Sequence, residues 1–327
     1  MSASEHSAST GEELPATERA RSDEPPGGGE TPADGEPGAS TDQPKAKPKT
    51  DWFGEIRSIF WLLLAVLAFH SFVAKPFYIP SESMMPTLLK GDRLVVTKFP
   101  YGWSWVSPSF HLLPPMSGRL FGRMPERGDV VIVTPPGGNQ DYIKRVVGLP
   151  GDTIEMVGGM LMINGYPVKR EKRPATMIPI DVNVGCGRGE DGFVSDGRMA
   201  SLIATGPNGR KYCRLPVFRE TLPNGRSYDT IDLGYRGDVD DYPRTFVPPN
   251  HIFLMGDNRD ESADSRVALS SGGLGGPVPW ENLGGRAEFI TFSLDGSSSY
   301  WNPISWITAM RPGRAGSSLH PRETGTQ

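Results

Sequence analysis

One long apolar run dominates the hydrophobic pattern of the chain. It reads SIFWLLLAVLAFHSFVA, from Ser58 to Ala74. A helix buried in a soluble core is rarely apolar on every face, so the run predicts a membrane-spanning helix. Trp52 and Phe53 extend it to a membrane anchor over residues 52–75. A buried core helix is the alternative, and the polar His70 favours it.

The segment after this run has the pattern of short strands separated by turns. β-branched runs occupy 92–99 and 129–136, and three further strands with Gly-rich or Asn-Gly turns between them fill 141–168. Residues 251–257 and 286–294 supply two more. The pattern predicts a mainly β protein of the sandwich or barrel type.

The polarity of the chain divides it into five regions. We expect a disordered tail over 1–50, the anchor over 52–75, a β-rich core formed by 76–165 and 247–300, an inserted subdomain over 166–246, and a C-terminal tail over 301–327. The first region contains no Val, Ile, Phe, Tyr or Trp and is rich in Pro, Gly, Ser and acidic residues. Such a composition buries too little apolar surface to offset the ordering entropy.

Positive charge is distributed unequally around the apolar run. Lys45, Lys47, Lys49 and Arg57 lie within about fifteen residues on its N-terminal side, whereas Lys75 alone follows closely. The positive-inside rule predicts that the N-terminus is cytoplasmic and that everything after the anchor is extracytoplasmic or periplasmic. No second run of comparable length follows in the sequence, so we expect a single-pass protein of the inner (cytoplasmic) membrane.

Composition and motifs exclude several classes of chemistry. The net charge of −4, without a basic stripe, gives no reason to expect nucleic-acid binding. No zinc-protease, phosphate-loop, Cys-x-x-Cys or nucleophile-elbow motif is present, so we expect neither a metal nor a cofactor. A Ser-His-Asp triad would need His111 or His251, and neither has a recognisable setting.

Three polar segments remain as candidates for chemistry. In PSESMMPTL (80–88), Ser81 or Ser83 is either a helix cap or a nucleophile close to the bilayer, since the eight residues from Lys75 to Ser83 span at most about 28 Å. In DYIKRVVG, Lys144 is either exposed at a strand edge or buried, with a lowered pKa that makes it a general base. GDNRDESADSR (256–266), taken alone, is typical of a charged surface loop.

Together, and in this order behind one anchor, these segments resemble bacterial signal peptidase I, a membrane-bound family of Ser/Lys proteases. PSESMMPTL resembles the family's serine box, PERGDVV (125–131) its structural box, DYIKRVVGLPGD (141–152) its lysine box and GDNRDESADSR its final box. The resemblance implies a β-rich catalytic core like that of the LexA-type self-cleaving proteases, with an inserted domain. It also implies removal of N-terminal signal peptides from exported preproteins after a small-x-small motif, through an acyl-enzyme.

The same resemblance assigns roles to residues of this chain. It makes Ser83 the nucleophile and Lys144 the general base, and it makes Ser81 an oxyanion donor together with the backbone N–H of Ser83. It also makes Ser262 the residue that orients the lysine, places Tyr142 beside the lysine, and makes Asp264 and Arg266 a supporting pair. The pockets for small side chains are lined, by the same resemblance, by Phe77, Ile79, Met84, Leu88 and Ile143. The partners implied are preproteins and the lipid bilayer, and we expect a monomer.

Several alternatives stay open at this point. A specialised Ser/Lys protease that processes pilins or itself would share these motifs, and a non-catalytic membrane-anchored β module would share the layout. Cys186 and Cys213 face an oxidising compartment, where a disulfide and two free thiols are both compatible with the sequence. The aromatic segment 101–115 is either core or a lip at the membrane interface, and the loop at 270–276 departs from the family's usual pattern after the final box.

Overall fold

The computed structural model of the protein describes residues 51–108, 113–186, 201–207 and 209–323. The predicted disordered tail over 1–50 lies outside the described residues. So do Phe110, His111 and Leu112 of the predicted lip.

The apolar run forms one helix, α1, from Trp52 to Phe72. It has 21 residues, its most apolar 18-residue window has a mean hydropathy of 1.6, and none of that window is buried. A helix of this length spans about 31 Å, so α1 is long and apolar enough to cross a membrane. The exposure of its side chains on all faces contradicts the alternative of a buried core helix, and His70 does not interrupt it.

The helix begins earlier and ends earlier than the apolar run. Ala74 already opens the first strand, because the Lys75–Pro76 sequence that follows is incompatible with further helix. The indole N–H of Trp103 donates to the carbonyl oxygen of Phe72 at 2.8 Å. The aromatic segment after β2 therefore contacts the end of α1.

The central element is an antiparallel seven-stranded sheet in the order β1-β2-β15-β3-β4-β13-β14. Alternating or continuous β-branched sequences produce these strands, which pack their inner faces into the core. Their bounds are β1 Ala74–Tyr78, β2 Asp92–Thr97, β3 Val130–Val133, β4 Tyr142–Gly148, β13 His251–Met255, β14 Val278–Pro279 and β15 Leu283–Ser293.

Two smaller antiparallel sheets flank the central one. We call the sheet in the order β16-β11-β10-β8, with β9 paired to β10, the second sheet; the third has the order β12-β5-β6-β7. Their bounds are β5 Thr153–Val157, β6 Met160–Ile163, β7 Tyr166–Pro167, β8 Lys169–Pro179, β9 Ile203–Thr205, β10 Lys211–Thr221, β11 Arg226–Ile231, β12 Thr245–Phe246 and β16 Arg322–Glu323. The predicted mainly β architecture with one N-terminal apolar helix is confirmed.

The region predicted as an inserted subdomain contributes the second sheet, which packs against the serine-bearing segment. Met85 and Leu89 share a buried cluster with Leu215 of β10 and with Cys186 and Cys213. The two cysteines form a disulfide, which decides between the alternatives that the sequence left open. Residues 52–327 form one compact unit, and the separate identity of 166–246 stays a prediction.

The C-terminal region differs from the predicted tail. Besides the four-residue α2 Gly237–Asp240, the structure contains a short helix, α3, from Pro303 to Thr308. Leu319 is buried in the main core cluster, and β16 pairs with β11. Apolar residues are sparse after Trp306, so the sequence carries little sign that this segment closes the edge of a sheet.

Candidate active site

The serine-bearing segment lies between β1 and β2 and is held from both sides. Met84 and Leu88 are fully buried, and the backbone carbonyl of Ser83 accepts the N–H of Asn258 at 3.0 Å. Residues 81–87 form turns and not a regular helix, so neither serine is a helix cap. The segment is fixed, and its serine hydroxyls are available for chemistry.

Lys144 comes from β4 and meets this segment in the interior. Its Nζ donates to Ser83 Oγ at 3.0 Å, and only 4% of the lysine is exposed. Burial lowers the pKa of Lys144 to about 8, while the carboxylates of Asp264 and Asp257 oppose that effect. A lysine with this pKa is partly neutral near pH 8 and can accept the proton of a serine hydroxyl.

Ser81 is positioned beside the nucleophile candidate. Its Oγ is 3.3 Å from Ser83 Oγ, and the residue is exposed, unlike Ser83. A hydroxyl in this place can donate to an oxygen of a group that is bound next to Ser83 Oγ.

Ser262 lies close to the dyad without contacting the lysine through a hydrogen bond. Within the described residues its buried Oγ has no hydrogen-bond partner. A Cβ on Gly256 would lie 2.2 Å from Ser262 Oγ and 2.5 Å from the Ser83 carbonyl oxygen. Glycine is therefore required at 256, and Ser262 packs directly against the serine-bearing segment.

Asp264 and Arg266 form a fully buried ion pair below the dyad. Their closest N–O distance is 2.8 Å, and Asp264 also accepts the backbone N–H of Gly256 at 2.9 Å. Although burial alone acts to raise it, Arg266 holds the pKa of Asp264 below its ordinary value. The pair stays ionised and fixes the loop that contains Ser262.

A second buried ion pair was not predicted from the sequence. Arg145 donates Nε and Nη2 to the two carboxylate oxygens of Asp257 at 2.7 and 2.6 Å, and Thr87 Oγ1 donates to the same carboxylate at 2.6 Å. The contact joins the strand that carries Lys144 to the segment that carries Ser83. Arg145 lies within DYIKRVVGLPGD and Asp257 within GDNRDESADSR, and their presence in these motifs was the sign in the sequence that could have indicated the pair.

A cleft of about 230 Å³ opens onto the dyad. Phe77 and Ile143 line it, whereas Ile79, Met84 and Leu88 are fully buried in the main core cluster beneath it. The structure thus brings two of the five predicted pocket residues to the cleft surface. The substrate-binding role of all five stays a prediction.

Tyr142 forms one side of the same cleft. Its ring centroid is 5.5 Å from Lys144 Nζ, and its hydroxyl donates to the carbonyl oxygen of Gly272 at 3.0 Å. The bond fixes the Gly-rich loop at 270–276 beside the site.

One other lysine has similar properties without a nucleophile partner. Lys98 is 4% exposed, and burial, followed by the charge of Lys75, lowers its pKa to about 8. Its Nζ donates to the Ser107 carbonyl oxygen. A lowered lysine pKa alone therefore does not define the site; the serine partner does.

Comparison with known proteins agrees with this arrangement. Residues 52–292 match the model of the family described as signal peptidase, peptidase S26. A signal peptidase I of Rickettsia typhi (strain ATCC VR-144 / Wilmington) is 37% identical over 270 residues, covering 79% of this chain and 88% of that protein. A signal peptidase I of Rickettsia akari (strain Hartford) is 36% identical over 253 residues, covering 75% and 80%.

A crystal structure of a signal peptidase I from Enterococcus faecalis V583 also matches, with 21% identity and a TM-score of 0.24 over 50% of this chain and 97% of that one. The assignment does not depend on that weak likeness. It depends on the family match, which covers most of the chain, and on the two relatives. The chain belongs to the signal peptidase family, peptidase S26, and its enzymatic activity is the removal of signal peptides.

Proposed function

We propose that the chain cleaves signal peptides with a Ser83/Lys144 dyad, through an acyl-enzyme and without a metal or cofactor. The observation that carries this proposal is the 3.0 Å contact between Lys144 Nζ and Ser83 Oγ, made by a lysine that is almost wholly buried. Burial favours the neutral amine, which is the form that accepts a proton.

The reaction follows from these atoms. Ser83 Oγ attacks the carbonyl carbon of the scissile peptide bond while Lys144 Nζ accepts the hydroxyl proton. The Ser81 hydroxyl and the backbone N–H of Ser83 stabilise the oxyanion, and such donors contribute about 3 kcal/mol each to the transition state. Lys144 returns the proton to the leaving amine, and water then hydrolyses the ester with Lys144 again as base.

We assign supporting roles to the neighbouring side chains. Ser262 orients the lysine, and the Asp264–Arg266 pair holds the loop that carries it. The cleft of about 230 Å³, bordered by Phe77 and Ile143, is compatible with small side chains next to the cleaved bond. We therefore propose cleavage after a small-x-small motif, with Ile79, Met84 and Leu88 shaping the pockets from below.

We further propose that α1 anchors a monomer in the cytoplasmic membrane, with the N-terminus cytoplasmic and the catalytic part extracytoplasmic. The length and exposure of α1 support an anchor, and the excess of Lys and Arg before it supports this orientation. The hydrogen bond from Trp103 to the end of α1 supports an active site close to the bilayer surface. The partners are then preproteins held in the same membrane.

The test is cleavage of a preprotein with a small-x-small site by the full chain in nonionic detergent. We expect Ser83→Ala and Lys144→Met to lose cleavage. Lys98→Met is the matched control because Lys98 has the same exposed fraction, 4%, and a pKa that is also about 8. Equal cleavage by the wild type and by folded Ser83→Ala or Lys144→Met would show that the dyad assignment is wrong.

A further inference from the structure

A cavity of about 530 Å³ lies behind the active site. Pro86 and Thr87, which follow the nucleophile candidate, line its floor together with Arg145, which follows Lys144 in β4. Successive side chains of a strand point to opposite faces, so the cavity and the catalytic cleft lie on opposite sides of β4. Its volume lies within the range of small-ligand sites.

The second sheet forms one wall of this cavity, and the pairing of its strands places several arginines on that wall. Arg173 of β8 is opposite Val217 of β10, and Arg219 follows on the same face two residues later. Asp229 of β11 is opposite Arg219, and Arg322 of β16 is opposite Ser227, two residues from Asp229. Glu171 of β8 is also opposite Arg219, so three arginines and two acidic residues share this face, and of the two acids only Asp229 lines the cavity.

Segment 314–322 forms the other wall and adds Arg314. The cavity lining thus contains five arginines and a single acidic residue, Asp229. The carboxylates that pair with Arg145 and Arg314, from Asp257 and Asp92, do not belong to the lining. The arginines of these two pairs line the cavity, and their carboxylate partners lie outside its lining.

Several guanidinium donors remain unused by the contacts of the described residues. Arg219 uses Nε and Nη2 for Asp229, and Arg314 uses Nε and Nη2 for Asp92 and the Thr87 carbonyl. Each retains Nη1. Arg173 forms no hydrogen bond within the described part of the chain, and its charge acts on the neighbouring carboxylate of Glu171. The pairs hold the two other guanidiniums in place, which lowers the ordering cost of binding a ligand.

We propose that this cavity binds a phosphate-class anion through Arg173, Arg219 and Arg314. Phosphate oxygens accept several N–H donors at once, and the planar guanidinium matches them better than other cationic side chains do. The ligand is a soluble phosphate compound or the phosphate of a lipid headgroup. Because Pro86, Thr87 and Arg145 are next to the dyad segments, the bound anion contacts the back of the active site.

Inorganic pyrophosphate is the probe for this site. It is titrated by calorimetry into the full chain in nonionic detergent, with the ionic strength held constant by sodium chloride. The variant is Arg173→Gln, which removes an exposed guanidinium that donates no hydrogen bond to the described residues. The matched control is Lys172→Gln, because Lys172 is the exposed neighbour on the opposite face of β8.

We expect saturable binding to the wild type and to Lys172→Gln, and about tenfold weaker binding to Arg173→Gln, which loses a charge-assisted contact. Backbone amide exchange over 314–322 should slow on addition of pyrophosphate to the wild type and not to Arg173→Gln. Absence of saturable binding, or equal affinity for all three proteins, would overturn the proposal.

Nanodiscs distinguish the two sources of phosphate. The affinity for pyrophosphate is measured in nanodiscs of phosphatidylcholine alone and in nanodiscs that also contain phosphatidylglycerol. The Arg173→Gln variant, measured in both, gives the general effect of membrane charge on that affinity. If the anionic discs weaken pyrophosphate binding to the wild type more than they weaken binding to Arg173→Gln, a lipid headgroup occupies the site. An unchanged affinity assigns the site to a soluble phosphate compound.

Discussion

In the proposed dyad, Lys144 combines a catalytic advantage and a cost in stability in one side chain. Burial lowers its pKa to about 8, so the unfolded chain binds this proton more tightly than the folded chain does. At neutral pH the folded protein therefore holds a mostly protonated amine out of water, and the burial that lowers the pKa of the lysine also destabilises the protein. Lys98 carries the same cost without the proposed catalytic role.

Lys144→Met should stabilise the protein while abolishing cleavage. The change from an ordinary pKa of 10.5 to about 8 corresponds to about 3 kcal/mol, and the gain in the free energy of unfolding at pH 7 should approach that value. Since the folded pKa is lowered, the penalty is full below pH 8 and disappears as pH rises towards 10.5. Urea unfolding at pH 7 and pH 10 measures both effects.

The control is Lys98→Met, which should retain cleavage. Its gain in stability should be smaller because the Ser107 carbonyl loses its donor. A Lys144→Met protein that is less stable than the wild type at pH 7 would contradict this account of the lysine.

The rate of cleavage should rise with pH through about 8. Below this value Lys144 is protonated and cannot accept the Ser83 proton, so kcat/KM should fall about tenfold per pH unit on the acid side. A soluble peptide substrate, assayed between pH 6 and 10, provides the profile. A rate that declines from pH 6 to 9 while the protein stays folded is incompatible with a lysine base.

Ser81→Ala should lower kcat by about a hundredfold and leave KM nearly unchanged. The proposed role of the hydroxyl is to bind the oxyanion, which exists only in the transition state. Ser81→Thr, which keeps a hydroxyl in the same place, serves as the control and should retain most of the activity. An increase in KM alone would assign Ser81 to substrate binding.

Residue-scale inference from the sequence paired Ser83 with Lys144, which are in contact in the structure, but missed the pair formed by Arg145 and Asp257. The first two stand in motifs whose residue types suit the proposed chemistry. Asp257 was visible only as one of several acids in a charged segment, and its partner is 112 residues away in the chain. Which acid meets which arginine is decided by strand register, which no local pattern reveals.

At the scale of elements, the second sheet was the hardest to predict. Most residues of β8 are exposed, so the strand lacks the alternation of apolar residues that marked β2 and β5. The sequence showed only two cysteines within this polar region. Their pairing depends on packing against Met85 and Leu89, which belong to a distant segment.

Removing the disulfide should destabilise the protein. The cysteines are separated by 27 residues, and closing a loop of that length contributes about 3.5 kcal/mol in the chain-entropy model. The Cys186→Ala, Cys213→Ala double variant should therefore unfold at lower urea concentration than the oxidised wild type. Reductant should lower the stability of the wild type and leave the double variant unchanged; equal stability of all forms would contradict the prediction.

At the scale of the whole molecule, the apolar stretch of α1 contributes little to the buried core. That stretch is unburied, and the end of the helix accepts a hydrogen bond from the indole of Trp103. The catalytic part has its own buried clusters on both sides of the central sheet. This separation was predictable, because one segment is apolar on all faces and the other has alternating strands.

A chain that starts at Ala74 should therefore fold and cleave soluble peptides. The free energy of unfolding should change by less than about 0.5 kcal/mol, the usual effect of changes at exposed positions. Circular dichroism during urea unfolding and a peptide assay measure the two properties. The same truncated chain with Ser83→Ala is the control for contaminating proteases, and an unfolded product would show that α1 contributes to the fold.

The alternation of Lys144 and Arg145 on β4 also limits how this gene can change length. Adding or deleting one residue within β4, between Tyr142 and Lys144, exchanges the two faces for the residues that follow. The guanidinium of Arg145, which is always charged, would then lie on the face of Ser83, and the amine of Lys144 on the face of Asp257. Length changes in the loop between β3 and β4 should be tolerated because loops absorb them, whereas single-residue changes inside β4 should give inactive protein and not protein of altered specificity.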